Sequence, residues 1–293
     1  MTSYFYPSIV APLDGLSGQI HPVEVCSDVV MRNPYPDELD LVNRTIALLT
    51  GSYGIKPMTS NVILMESKTT PPQVETLDEA NEYWHKFATS FIEKGLTLLR
   101  LAHPGPVNSR FFFRPLANVS MCGYSIGQIS MIPAIRRANY PAYPLPTATD
   151  MALSDLFSRY WQRNMDDVMG LRWFNKAYAE LNSDDRIAHL VFGLEQLLVQ
   201  DDNEPSYLAY KMALRGACLL SPPGQERNNV FGTLRKAYRL RSKIAHGRLN
   251  RPLSDDELIL TNDVEDILRK IILLWLTDHT RLRAEALDDI VLS

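Results

Sequence analysis

Residues 184–199 read DDRIAHLVFGLEQLLV, and within them Ile187, Leu190, Val191, Leu194, Leu197 and Leu198 recur at the i, i+3, i+4, i+7 spacing of a helix with one apolar face. Such a stripe must be buried against other elements, so the neighbouring chain is expected to supply partner helices. Helical periodicity is present at 151–165, at 206–220, through a basic run at about 227–247 and again at about 255–287, with breaks at 201–205 and 221–224. Thr149 or Asp150 stands where a cap would open the first of these. The region 149–293 is therefore expected to be an all-α helical bundle.

Upstream the pattern is mixed. β-favouring stretches at 24–31 and 61–65 alternate with helical ones at 36–50 and 76–101. The segment 110–132, rich in aromatic and β-branched residues, predicts two or three strands with a turn near Gly123. Pro133, Pro141, Pro144 and Pro146 then fall within fourteen residues, a composition that resists helix and sheet alike. The boundary is placed there, giving an α+β domain over 1–148 followed by the bundle over 149–293, in keeping with a length of about two domains.

Composition excludes several classes. No apolar run approaches the ~18 residues of a membrane span, and the strongest, 271–277, is ended by Asp278 and His279. The first fifteen residues lack the basic start and continuous apolar stretch of a secretory signal, so a cytoplasmic protein without membrane attachment is expected. Cys26, Cys122 and Cys218 are odd in number and far apart, and His21, His85, His103, His189 and His279 show no ligand spacing, so no disulfide framework, metal or cofactor is expected. TGSYG at 50–54 lacks the Gly-Lys-Ser/Thr ending of a phosphate-binding loop and reads as a helix stop. GYSIG at 123–127 matches the G-x-S-x-G of serine hydrolases, but 128–135 reads as extended chain ending at Pro133, where that motif requires a helix; a glycine-rich hairpin turn is expected instead.

The net charge of −4 conceals a strong asymmetry. Between residues 227 and 251 lie Arg227, Arg235, Lys236, Arg239, Arg241, Lys243, Arg248 and Arg251, with no acidic residue. Taking these eight charges from −4 leaves −12 on the other 268 residues, which points to a polyanion site on the basic segment. On a regular helix Val230, Leu234, Ala237, Ile244 and Ala245 form one stripe with Arg241 in its middle. A core-facing arginine needs a carboxylate, a polar cleft or an anion, and Glu195 on the preceding amphipathic helix is its candidate partner. His246 lies about 140° around the helix from Arg241, whereas Arg235, Arg239, Ser242 and His246 share a face, so Arg239 competes with Arg241 as its neighbour. Gly247 is suited to end the helix and release the His246 ring.

YRLRSKIAHG at 238–247 resembles the signature of the HEPN superfamily, in its ApeA-like branch: an arginine, four to six residues, then a histidine near a helix end. Both Arg241 and Arg239 satisfy that spacing to His246, and the Arg-Ser-Lys start is the form usual in the branch. The stretch 184–199 is similar to the branch's acidic, apolar, Leu-Glu-x-Leu-Leu helix and matches Glu195 to its glutamate. LRLAHPGPV at 99–107 resembles the region that precedes the domain, and Asn250 stands where other branches place a tyrosine.

The resemblance implies a HEPN-like bundle that pairs as a homodimer and acts as a metal-independent endoribonuclease in phage defence, a toxin-like role or RNA processing. A partner protein that inhibits or senses would fit such a role. Arg241 and His246 are then the expected catalytic pair, Glu195 and Arg239 their supports, and Arg235, Lys243 and Arg248 contacts to RNA. Histidine handles protons near neutral pH and arginine carries fixed charge, as cleavage of RNA by its own 2′-hydroxyl requires. The alternative is a HEPN-like module that binds RNA or protein without cleaving.

Overall fold

The computed structural model describes residues 9–53, 57–68, 77–109, 111–115, 124–128, 142–165, 167–199 and 207–292. They form two compact units, the first running to Arg163 and the second from Asn164 onward.

The first unit is α+β. Strands β1 (Val10–Ser17), β2 (Val23–Cys26), β3 (Val29–Arg32), β4 (Val62–Ser67), β5 (Phe111–Pro115) and β6 (Tyr124–Gln128) make an antiparallel sheet in the order β2-β3-β4-β1-β5-β6. The stretch expected as one extended segment at 24–31 is a hairpin, β2 and β3 turning at Ser27 and Asp28. Strand β1, lying between β4 and β5, carries no clear strand pattern in the sequence because Pro12 and Gly15 interrupt it. Pro12 is tolerated because successive amides alternate sides: Asp14 N–H points to Asn108 O at 2.7 Å, so position 12 faces that same side, where pairing with β5 is confined to Val10↔Phe113. The Gly123 turn lies outside the described residues, and Ser125 sits within β6 opposite Arg114, in a strand and not on the strand-to-helix turn of a hydrolase nucleophile.

Helices α1 (Pro36–Tyr53) and α2 (Leu77–Ala102) accompany the sheet, and Val42 and Ile46 of α1 pack with Val10, Leu64 and Phe113 in a fully buried cluster. Arg32 is buried too, its guanidinium bonded to both oxygens of Glu38 at 2.6 and 2.9 Å and to Glu66. Helix α3 (Met151–Tyr160) is capped by Asp150, whose side chain accepts from Leu153 N–H. It packs on β2 and α2: Trp161 at its end meets Phe91 edge-on at 5.5 Å, and Asp150 meets the His103 ring at 2.7 Å. The break between compact units thus falls after α3, later than the proline-rich segment, because these aromatic contacts hold α3 to the sheet unit.

The second unit is helical: α4 (Leu171–Ala179), α5 (Ser183–Leu198), α6 (Leu208–Leu220), α7 (Gln225–Ala245), α8 (Asp255–Thr277) and α9 (Ala284–Leu292). All six residues of the opening stripe are buried, and α5 contacts α4, α6, α7 and α8. A Cβ on Gly193 would come within 2.9 Å of Leu268, so this glycine sets the close approach of α5 and α8. Two buried arginines tie helices together. Arg186 donates to Glu265 at 2.7 Å and Asn262 at 3.0 Å, joining α5 to α8; Arg215 donates to Leu198 O at 2.7 Å and Asp288 at 2.8 Å. The single last helix expected at 255–287 is broken: Asp278 accepts from the backbone and hydroxyl of Thr280, a local turn that competes with the helix and leaves a 3₁₀ turn at His279–Leu282 before α9.

The start of α8 carries a capping box, Ser254 and Glu257 bonding reciprocally, with Arg251 donating to both Glu257 oxygens at 2.7 and 3.0 Å. The Arg251 guanidinium first, then the Ser254 backbone N–H, hold the Glu257 carboxyl down to about 2. A depressed carboxylate stabilises the fold above its unfolded value of about 4.3, and that contribution disappears as pH falls from there. Glu257→Gln should therefore melt below wild type at neutral pH, with the gap closing as pH approaches 2, as read by thermal melts across pH. Among the described residues, no helix is long and apolar enough to cross a membrane.

Candidate nucleic-acid interface

Helix α7 presents two faces. Leu234, Ala237 and Leu240 are buried, Val230 and Ile244 half-buried, and Ala245 exposed. The stripe therefore differs from expectation at its end: Leu240 replaces Ala245, which lies about 80° from Ala237 and turns away from the bundle. Arg241 lies beside Leu240 and points at α5. Its Nη2 stands 3.5 Å from Glu195 Oε2, its guanidinium lies 4.6 Å from the Phe192 ring centroid, and Tyr238 follows at 5.8 Å. Arg241 Nε is buried with no hydrogen-bond partner among the described residues. The structure thus joins Arg241 to Glu195 as expected and adds two rings. Phe192 precedes Glu195 by three residues and Tyr238 precedes Arg241 by three, a helical adjacency that was available in the sequence.

At 3.5 Å the ion pair is long, and burial raises the Glu195 carboxyl above the usual glutamate range although Arg241 pulls it the other way. A raised carboxyl favours the fold at low pH, and that contribution is lost as pH rises through the folded value. Glu195→Gln, which keeps an oxygen for the guanidinium, should remove this dependence. Wild type should lose stability relative to the variant as pH rises above the ordinary glutamate range in paired melts; an unchanged difference would refute the assignment.

The other face is cationic. Arg235, Lys236, Arg239, Lys243 and Arg248 are exposed, and none forms an ion pair with a described carboxylate. Arg251, by contrast, is engaged by Glu257, and Arg227 by Ser221 O at 2.9 Å.

His246 caps the helix and is exposed. Gly247 follows at φ +62°, its N–H bonding to Ile244 O at 3.0 Å while Arg248 N–H bonds to Lys243 O at 2.8 Å. This double closure satisfies terminal carbonyls and needs the left-handed residue that glycine adopts without strain. The helix is regular through Ala245, so Arg241 and His246 diverge by about 140° while Arg239 and His246 lie within about 20° of one line. Within one chain, α7 places His246 on the same face as Arg239 and directs Arg241 to Glu195. Among the described residues, no group of three or more His, Cys, Asp or Glu side chains is placed to hold a metal ion. No family model, curated protein or solved structure matches the chain.

Proposed function

We propose that the helical unit is a HEPN-like, metal-independent endoribonuclease whose centre is the end of α7. The observation that carries this reading is an exposed histidine on a helix-ending turn, on the same face as exposed arginines that have no carboxylate partner among the described residues. In the reaction a base takes the proton of a ribose 2′-hydroxyl, O2′ attacks the adjacent phosphorus, and the 5′-oxygen leaves with a proton. The products carry a 2′,3′-cyclic phosphate and a 5′-hydroxyl. His246 exchanges the proton, and a guanidinium stabilises the charge that accumulates on the phosphorane oxygens. Arg241, whose carboxylate contact is loose and whose side chain is partly exposed, retains guanidinium donors for that role. Arg235, Arg239, Lys243 and Arg248 hold the backbone on the approach.

Because Arg241 and His246 diverge on one helix, a homodimer in which each chain supplies one member of the pair is the arrangement that uses both, and a strict monomer in solution would remove it. A cytoplasmic role in defence or as a toxin held by a partner protein belongs to the same reading. Incubation of unpaired RNA with the full chain in EDTA, followed by end-group analysis, is the test: cyclic phosphate ends support the reading. Salt-sensitive binding without cleavage would support the second reading, an RNA-binding module in which Arg241 and Glu195 pin α7 to α5.

A further inference from the structure

Away from His246, Phe231 on the same face of α7 meets the start of α6, where two tyrosines are exposed. Tyr207, the residue before α6, is 77% exposed and Tyr210 is 49% exposed. Tyr210 meets Phe231 of α7 edge-on, with centroids 5.6 Å apart, and the Arg235 guanidinium lies 5.6 Å from the same Phe231 ring. Phe231, Arg235, Arg239, Ser242 and His246 recur at intervals of three or four, so they follow one line of the helix, about 22 Å long at 1.5 Å per residue. The order along it is aromatic rings, two arginines, then the histidine.

Resting on the endoribonuclease reading, we infer that this strip is a track for single-stranded RNA, in which unpaired bases stack on Tyr207 and Tyr210 while Arg235 and Arg239 carry the phosphates toward His246. Proteins that hold single strands combine cations along the backbone with open ring faces, and a paired duplex keeps its bases inside and cannot use the rings. Charge complementarity selects the occupant: the segment has no acidic residue from 227 to 251, and an apolar protein partner would leave Arg235 and Arg239 unpaired at its contact. The contact between Phe231 and Tyr210 lies at the end of the track remote from His246.

The test is fluorescence anisotropy in EDTA with a labelled unpaired oligoribonucleotide and a blunt RNA duplex of equal length, using His246→Ala so that bound RNA stays intact. Tyr207→Ala and Tyr210→Ala should each weaken binding of the unpaired strand roughly tenfold, the scale of one lost base stack, and leave the duplex unaffected, while Tyr210→Phe keeps its affinity. Arg235→Ala should weaken both RNAs and lower the salt slope by about one. Both tyrosines are exposed, so their loss spares the core. Unchanged affinity in both alanine variants, or tighter binding of the duplex, would overturn the track and leave the cleavage reading standing. So would a change in solution mass without a change in RNA affinity, which would mark a surface for self-association. Tyrosine-dependent binding by a chain that never cleaves would sustain the track and remove the nuclease, and failure of the chain to bind either RNA would overturn both.

Discussion

His246→Ala and Arg241→Ala are each expected to slow RNA cleavage in EDTA by about 100-fold or more, the usual contribution of a positioned proton-transfer group or of a charge at the transition state. The two losses should differ in kind. His246 is exposed at the helix end, so its removal should leave melting unchanged while cleavage is lost. Arg241 contacts Glu195 and lies over Phe192, so Arg241→Ala should also cost stability by leaving a half-buried carboxylate without its cation. Arg241→Lys separates the effects, because an ammonium keeps the charge but not the planar fork. Retained melting with lost cleavage would assign Arg241 to the phosphate. Arg239→Ala is the internal comparison: should it abolish cleavage while Arg241→Ala does not, the exposed arginine beside His246 is the working cation and Arg241 is a pin. Undiminished cleavage in both Arg241→Ala and His246→Ala would end the proposal.

Glu265→Ala is expected to be the most damaging single change to the helical unit. Its side chain is 1% exposed and binds the Arg186 guanidinium, itself 7% exposed, across α5 and α8. Removing the carboxylate takes away the counter-charge that this buried guanidinium binds at 2.7 Å, which costs about 3 to 5 kcal/mol. For a unit of this size that lowers the melting midpoint by on the order of 10 °C. The double change Arg186→Met with Glu265→Leu removes both charges and restores apolar contact, so it should recover most of the loss; a double variant as unstable as the single one would show that packing, not charge, is what the pair contributes. Circular dichroism of the full chain reads both.

The helices were legible because their signal is local. The α5 stripe repeats along one helix and is entirely buried, Asp150 caps α3 as its position suggested, and Gly247 ends α7 at the expected residue. Elements set by competition with distant chain were harder to see. Strand β1 contains a proline that only the interrupted pairing beside it accommodates, and α4 has no apolar run to rival that of α5. The turn at Asp278 depends on a short polar side chain outcompeting helix hydrogen bonds, which periodicity does not report.

The same division holds at the site. By itself the amino-acid sequence determined which residues form the basic helix, that Arg241 interrupts an apolar stripe, that Arg235, Arg239 and His246 share a face and that Gly247 closes it, since each follows from a fixed angle per residue. Tertiary structure alone decided that Arg241 turns to Glu195 and Phe192, that Arg235, Lys236, Arg239, Lys243 and Arg248 lack described carboxylate partners while Arg251 has one, and that Tyr207 stands open at the start of α6 and Tyr210 beside Phe231. Those outcomes depend on which helices pack against α7 and at what distance, and burial and Coulomb energy are properties of that packing, which no single helix encodes.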